Sequence, residues 1–243
     1  MKKVYIGTSG FNYKDWKGRF YPEGLPQKKW LSYFAEHFKT VEINATFYGS
    51  FTHTTYQNWA SQTPDSFIFT IKGPRIITHI KRFNEIDETL DNFATASSGL
   101  GNKLSCMLWQ LPGSFHHEGQ GTFELIERFV TKLPKGIHQV FEFRHRSWFV
   151  EEVYSLLRKY HIGFVINDSS RYPWVEKVTS DIVYIRFHGP RELYASKYSD
   201  EEMSVWAEKL QKYRATHDVY CYFNNDYYGY AIENARQLQD MIT

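Results

Sequence analysis

The chain has 243 residues, of which 42% are hydrophobic and 23% charged, so it is not a disordered tail protein. Its 29 Lys and Arg against 27 Asp and Glu leave a formal charge of +2, which gives no bulk signal for nucleic-acid binding but leaves room for a local basic patch. Two cysteines, Cys106 and Cys221, are too few for a disulfide framework or a zinc ribbon and read as buried thiols.

Taken from the N-terminus, Met1 to Gly7 carries a basic pair but no secretory apolar core. The longest apolar run, Val219 to Phe223, is far short of a membrane span. These features predict a soluble cytoplasmic protein that does not enter the membrane. Strand-like runs follow one another at Val4–Gly7, Thr40–Ile43, Phe67–Ile71, Leu104–Trp109, Gln139–Phe143, Gly163–Ile166, Ile182–Phe187 and Val219–Phe223. Helical spacing fills most gaps, as in Leu31-Phe34-Ala35-Phe38, Val153-Leu156-Leu157-Tyr160 and Met203-Trp206-Ala207-Leu210. Ser199 with Glu202 spells a capping box ahead of the last of these. The second and sixth gaps, around Trp59 and Trp174, carry weaker helical patterns. Eight strand-then-helix units in a chain of this length predict a single (β/α)8 TIM barrel over residues 1–243. An open dinucleotide-binding sheet is disfavoured, because Gly7-Thr8-Ser9-Gly10 lacks the third glycine of that fingerprint.

Alternation along each strand sorts its side chains. If the apolar partners face the helices, the inward positions are Glu42 and Asn44, Lys72, Glu142 and Arg144, Tyr184, Arg186 and His188, and Tyr220, Tyr222 and Asn224. Ser9, Gln110 and Asn167-Asp168 end the first, fourth and sixth runs. Enzymes of this fold work at the strand C-terminal ends, so the polar groups converge on the usual active face. The bland alternative is an ion-pair layer plugging the barrel, with Glu42 on Arg144 or Glu142 on Arg186.

The chemistry of the set divides naturally. Lys72, Arg144, Arg186 and His188 suit an anion. Glu42, Glu142, Asp168 and Asp226 are candidate bases or ligands of sugar hydroxyls, and Asn224 and Asn225 donate to the same groups. Gly189 and Gly229 follow the seventh and eighth strands, where barrels of this kind often hold phosphate. Glu42, Glu142, Asp168 and His188 also have the donor types for a divalent metal, but three neighbouring cations oppose one, so neither metal nor cofactor is expected. His116-His117 reads as an exposed loop pair. The motifs of zinc peptidases, α/β-hydrolases and P-loops are absent.

Several of these strand ends belong to longer motifs: Ile6-Gly7-Thr8-Ser9-Gly10-Phe11 with Trp16, and Val41-Glu42-Ile43-Asn44 with Thr46-Phe47-Tyr48. Further on come Lys72 with Thr78-His79, Gln110-Leu111-Pro112, and Glu142-Phe143-Arg144-His145 with Ser147-Trp148. The last are Tyr184 to Gly189 and Tyr222 to Asp226 with Gly229-Tyr230-Ala231 and Asn234-Ala235. With these motifs the chain resembles the YecE-like family, domain of unknown function 72, from about Val4 to Met241. The resemblance implies a TIM barrel and no particular reaction. It also implies a distant kinship with metal-dependent barrels that cut DNA at abasic sites and with sugar isomerases, although their zinc cluster is not evident here.

Three functions remain in play. The first is a hydrolase acting on a phosphate-bearing substrate such as a nucleic-acid phosphodiester. Glu42, Glu142, His188 and Asp168 would then be catalytic. Ser9, Asn44, Lys72, Gln110, Arg144, Arg186, Asn224 and Asn225 would bind substrate, joined by Trp16, Tyr48 and Trp148. Loop aromatics including Phe11, Tyr13, Tyr227 and Tyr228 would either stack on bases or pack over the mouth. The second is a sugar-isomerase-like enzyme on a sugar-like substrate. The third is a non-catalytic binder of single-stranded nucleic acid.

Overall fold

In a parallel strand buried on both faces, successive side chains feed two different cores, and this chain fills both. A computed structural model describes residues 1–242. The strands are β1 (Val4–Thr8), β2 (Thr40–Ile43), β3 (Ile68–Lys72), β4 (Leu104–Gln110), β5 (His138–Glu142), β6 (Gly163–Asp168), β7 (Ile182–Phe187) and β8 (Asp218–Phe223). All pair in parallel, in the order β1-β8-β7-β6-β5-β4-β3-β2. The sheet curls until β1 meets β2 through a bridge between Ser9 and Glu42. The protein is a (β/α)8 barrel, as the strand count predicts.

The helices are α1 (Trp30–His37), α2 (Ala45–Tyr48), α3 (His53–Ser61), α4 (Asp87–Ser97), α5 (Gln120–Val130), α6 (Glu151–Lys159), α7 (Asp200–Tyr213) and α8 (Tyr230–Ile242). The capping box starts α7 as read from sequence: the Ser199 amide donates to Glu202 Oε2 at 2.8 Å, and the Glu202 amide to Ser199 Oγ at 3.2 Å. Both weak gaps resolve. Around Trp59 there is a true helix, α3, whose first turn is capped by Thr52. Between β6 and β7 the chain forms no helix. Thr179 ties that segment down, accepting from the Phe164 amide at 2.8 Å and donating to the Ile162 carbonyl at 2.6 Å. The single turn α2, which the spacing does not announce, carries Phe47 and Tyr48 to the mouth.

The outer core packs the strands against the helices and contains Val41, Phe69, Phe141, Ile185, Val219 and Cys221. The inner core holds Cys106, Leu108, Val140, Val165, Ile182, Tyr184, Tyr220 and Tyr222. Its tyrosines reach across the barrel to polar partners. Tyr222 Oη lies 2.6 Å from Thr40 Oγ1 and 2.9 Å from Thr70 Oγ1, and Tyr220 Oη lies 2.7 Å from Ser105 Oγ. A buried hydroxyl without a partner would be costly, so these pairs hold the interior rings in place.

Between β1 and β2 there is little room. A Cβ on Gly7 would fall 2.2 Å from the Thr40 carbonyl oxygen. Gly7→Ala should therefore force the two strands apart and cost about 1–3 kcal/mol. A urea midpoint equal to that of the wild type would refute this close approach.

Candidate functional site

The residue that organises the mouth is Arg186, at the end of β7 and 1% exposed. Its Nη1 donates to Glu142 Oε2 at 2.5 Å and its Nη2 to Glu42 Oε1 at 2.7 Å. Neutral donors complete Glu42, whereas a neutral amide and a second guanidinium complete Glu142. Glu42 accepts from Ser9 Oγ at 2.7 Å and from Tyr184 Oη at 2.6 Å. Glu142 accepts from Gln110 Nε2 at 2.9 Å and from Arg144 Nε at 2.6 Å. Five strand ends meet in this network. The ion-pair layer envisaged from sequence exists, with Glu142 on Arg186 as one of the two expected pairings; Glu42 pairs with Arg186 as well and not with Arg144, which shares Glu142 instead.

The electrostatics follow from burial and neighbours. Burial would push the Glu142 carboxyl up, but Arg144 and Arg186 outweigh it and hold the group well below the ordinary carboxylate range. Burial, then Arg186, drives the His188 imidazole well below its usual value, so it is neutral. The His188 ring is enclosed, with Nδ1 3.0 Å from Asn224 Nδ2 and Nε2 3.4 Å from Arg186 Nη1. Burial, reinforced by Arg186, lowers Lys72 to about 7. The same effect, reinforced by Lys72, lowers His79 to about 4.

Above this floor opens a cavity of about 670 Å3. Its lining includes Lys72, Arg75, Arg144 and Arg186, with His79, Asn44, Gln110 and Asn224. Tyr13, Phe47, Tyr48, Tyr194, Tyr227 and Asp226 complete the wall. Glu42, Glu142 and His188 lie beneath it, fully buried. Buried Arg186 Nε and Asn44 Oδ1 have no hydrogen-bond partner among the described residues. Burial pushes the Asp226 carboxyl up to about 7, although the Trp16 indole donates to it at 2.6 Å.

Four expected site residues lie elsewhere or behind the wall. Asp168 points outward from β6, where its Oδ2 accepts from the Trp206 indole of α7 at 2.7 Å. Its neighbour Asn167 takes the inward position, and neither of its side-chain amide atoms finds a hydrogen-bond partner among the described residues. Asn225 is buried outside the barrel, donating to the Ser196 carbonyl at 3.1 Å and to Asn234 Oδ1 at 3.0 Å. Trp148 is core, its indole donating to the Phe115 carbonyl at 2.7 Å. Trp16 is also buried and meets the cavity wall from behind, through its hydrogen bond to Asp226 and its contact with the Tyr13 ring, 4.9 Å between centroids. Ser9, Asn44, Lys72, Gln110, Arg144, Arg186, Asn224 and Tyr48 do gather at the mouth with the two glutamates and His188.

Three contributors escaped the sequence reading because they lie in loops, outside strand parity. Arg75 follows β3. Tyr172, in the helix-free segment, lies flat on Arg144, 4.1 Å from ring centroid to guanidinium carbon. Tyr194 adopts φ 65°, a costly conformation for a tyrosine, and its hydroxyl accepts from Arg144 Nη2 at 3.4 Å. A second cavity, about 610 Å3, lies at the opposite end around Leu133, Pro134, His138, Tyr160 and Asp181. In this fold that end serves stability, and the arginine–carboxylate network is not part of it.

Fold and site together define a TIM-barrel protein with a buried ionic floor and a cationic, tyrosine-walled mouth. The family described as "Protein of unknown function DUF72" matches residues 5–243, and the chain belongs to that family. The UPF0759 protein YunF of Bacillus subtilis is 26% identical, covering 98% of this chain and 94% of that protein. The UPF0759 protein YecE of Escherichia coli is 27% identical over 83% of this chain and 85% of its own length. The crystal structure of a DUF72 family protein from Thermotoga maritima is similar at a TM-score of 0.89 and 33% identity, covering 99% of both chains. One from Enterococcus faecalis, at 21% identity over 98% of this chain and 95% of that one, shares the fold with a TM-score of 0.86. Among the described residues no helix is long and apolar enough to cross a membrane.

Removing the Arg186 guanidinium leaves two buried carboxylates without their shared counter-charge. Arg186→Met should cost about 3–5 kcal/mol, and Arg186→Lys should recover only part of it, because an ammonium lacks the fork that reaches both. Urea unfolding of both variants measures this; a near-neutral Arg186→Met would contradict it. Asp226 carries the opposite sign. Its folded value of about 7 lies above the unfolded one, so the folded state holds the extra proton and stability falls as pH rises from about 4 to 7. Asp226→Asn should flatten that part of the stability–pH curve, and a parallel curve would dismiss the shift.

Proposed function

We propose that the protein is an enzyme that binds a phosphate-bearing substrate in the barrel mouth and hydrolyses its phosphoester. The observation that supports this reading is the division of labour among the cations. Arg186 spends both terminal nitrogens on Glu42 and Glu142 and so belongs to the floor. Arg144 spends Nε on Glu142 and Nη2 on Tyr194, which leaves Nη1 for a ligand. Arg75 is exposed at the rim and makes no ion pair among the described residues. Two guanidiniums facing an open cavity suit the planar, bidentate recognition of phosphate.

Acid–base chemistry then falls to Asp226 rather than to the residues beneath the floor. Glu142 is too weak a base, being held far below the ordinary range by its arginines. His188 is neutral but sealed away from the cavity. Asp226 lines the cavity with a value of about 7, which suits proton transfer at neutral pH. Its protonated form can protonate a leaving oxygen, and its ionised form can draw a proton from water. Tyr48 and Tyr227, 80% and 69% exposed, offer flat faces at the rim. Such faces suit the base or sugar attached to the phosphate, as in a nucleic-acid phosphodiester.

Calorimetry with inorganic phosphate and a panel of phosphomonoesters and phosphodiesters tests the reading. Arg144→Gln and Arg75→Gln should each weaken phosphate binding about tenfold or more. Asp226→Asn should lower kcat by about 10²–10⁴ while phosphate affinity is kept. Turnover of an unphosphorylated sugar that ignores Arg144→Gln would replace this function with the sugar-isomerase-like one. Salt-sensitive binding of single strands with no cleavage would replace it with a binding role.

A further inference from the structure

We propose that Lys72 is a carbonyl-reactive nucleophile, so that the cavity also captures a phosphorylated aldehyde or ketone as an imine on Lys72 Nζ. This second activity rests on the anion site proposed above: Arg144 and Arg75 would hold the phosphate while the amine takes the carbonyl.

The geometry singles out this lysine. It ends β3, is 7% exposed, points into the barrel and lines the cavity. Its ammonium makes no hydrogen bond and no ion pair among the described residues; its near neighbour is the Phe47 ring, with Nζ 4.0 Å from the centroid. A lysine meant only as a counter-charge would sit on a carboxylate. The nearby carboxylates, Glu42 and Glu142, are already held by Arg186 and Arg144. An amine set against an apolar ring and beside fixed cations is the environment that frees a lysine lone pair.

The charged and titratable groups around it come from three strands and one turn. Glu42 is on β2, Glu142 and Arg144 are at the end of β5, Arg186 and His188 are at the end of β7, and His79 follows β3. Two carboxylates and two guanidiniums nearly offset one another, and His188 is neutral. Burial therefore decides, and the amine is about half deprotonated near neutral pH.

The step balances without an oxidant or reductant. The Nζ lone pair forms the N–C bond while the carbonyl π pair moves to oxygen, and one proton passes from the now cationic nitrogen to that oxygen, leaving a neutral carbinolamine with a lone pair on nitrogen. The carbinolamine loses its hydroxyl as water, using a proton from Asp226, while the nitrogen lone pair closes the C=N bond; the iminium then returns its N–H proton to the Asp226 carboxylate and becomes the imine. Asp226 lines the same cavity and is close to half protonated at the same pH. Hydrolysis of the imine reverses each transfer and restores the free lysine.

Pyridoxal 5′-phosphate is a suitable probe, because it joins an aldehyde to a phosphate and its imine absorbs in the visible. The wild-type protein is incubated with it, reduced with sodium borohydride and mapped by peptide mass. One label on Lys72 is expected, forming with a pH midpoint near about 7 and suppressed by inorganic phosphate. Pyridoxal, which lacks the phosphate, should label at least about tenfold more slowly. Lys72→Met should lose the visible band with its circular dichroism unchanged; if it does not fold, mapping of the wild type alone decides. Label spread over exposed lysines such as Lys28 and Lys135, with Lys72 unmodified, overturns the proposal. Calorimetry with inorganic phosphate separates the two ideas: binding without Lys72 labelling sinks only the imine, whereas absence of both sinks the anion site as well.

Discussion

One guanidinium bridging two glutamates at the floor of the barrel is the constraint on which the rest of the mouth depends. Moving three charges out of water costs several kcal/mol per ion, and a well-packed apolar layer could hold a barrel as firmly. What the ionic layer supplies instead is direction. Arg186 pins Glu42 and Glu142, and Glu142 in turn aligns Gln110 and Arg144. Side chains from distant parts of the chain thus arrive at the cavity with their donors already aimed, which is what binding a small anion requires.

Much of this was legible in the sequence, for a simple reason. A period of two is rigid, so an apolar residue known to face a helix settles where its neighbours point. That logic places Glu42, Glu142, Arg144, Arg186 and Asn224 correctly, and the strands begin and end within two residues of the expected positions. It falters at β6, where Val165 belongs to the inner core and Ile166 to the outer, so Asn167 turns inward and Asp168 turns out to Trp206. Both members of that pair are polar, and the sequence alone offers no reason to choose between them.

Loops obey no such period, which is why Arg75, Tyr172 and Tyr194 were not foreseen as parts of the site. Tryptophans misled for the opposite reason. Trp16 and Trp148 stand in loop motifs beside the strand ends, yet a ring of that size is more easily satisfied by burial with one indole hydrogen bond than by exposure at a rim. The smaller tyrosines Tyr48 and Tyr227 remain at the surface instead. Asp226 shows the two patterns joined: a buried tryptophan holds a carboxyl that the cavity can use.

The narrow junction between β1 and β2 has one more consequence. Seven neighbouring strand pairs zip through runs of backbone hydrogen bonds, whereas this eighth junction is a lone bridge at Ser9 and Glu42, fastened by a hydroxyl donating to the carboxylate. The same carboxylate is gripped by Arg186. Completing the cylinder and assembling the charged floor are therefore one event. A form of the molecule that gapes along this line has also dismantled its floor, and any guest that steadies Arg186 acts at the same time as a clasp on the whole cylinder.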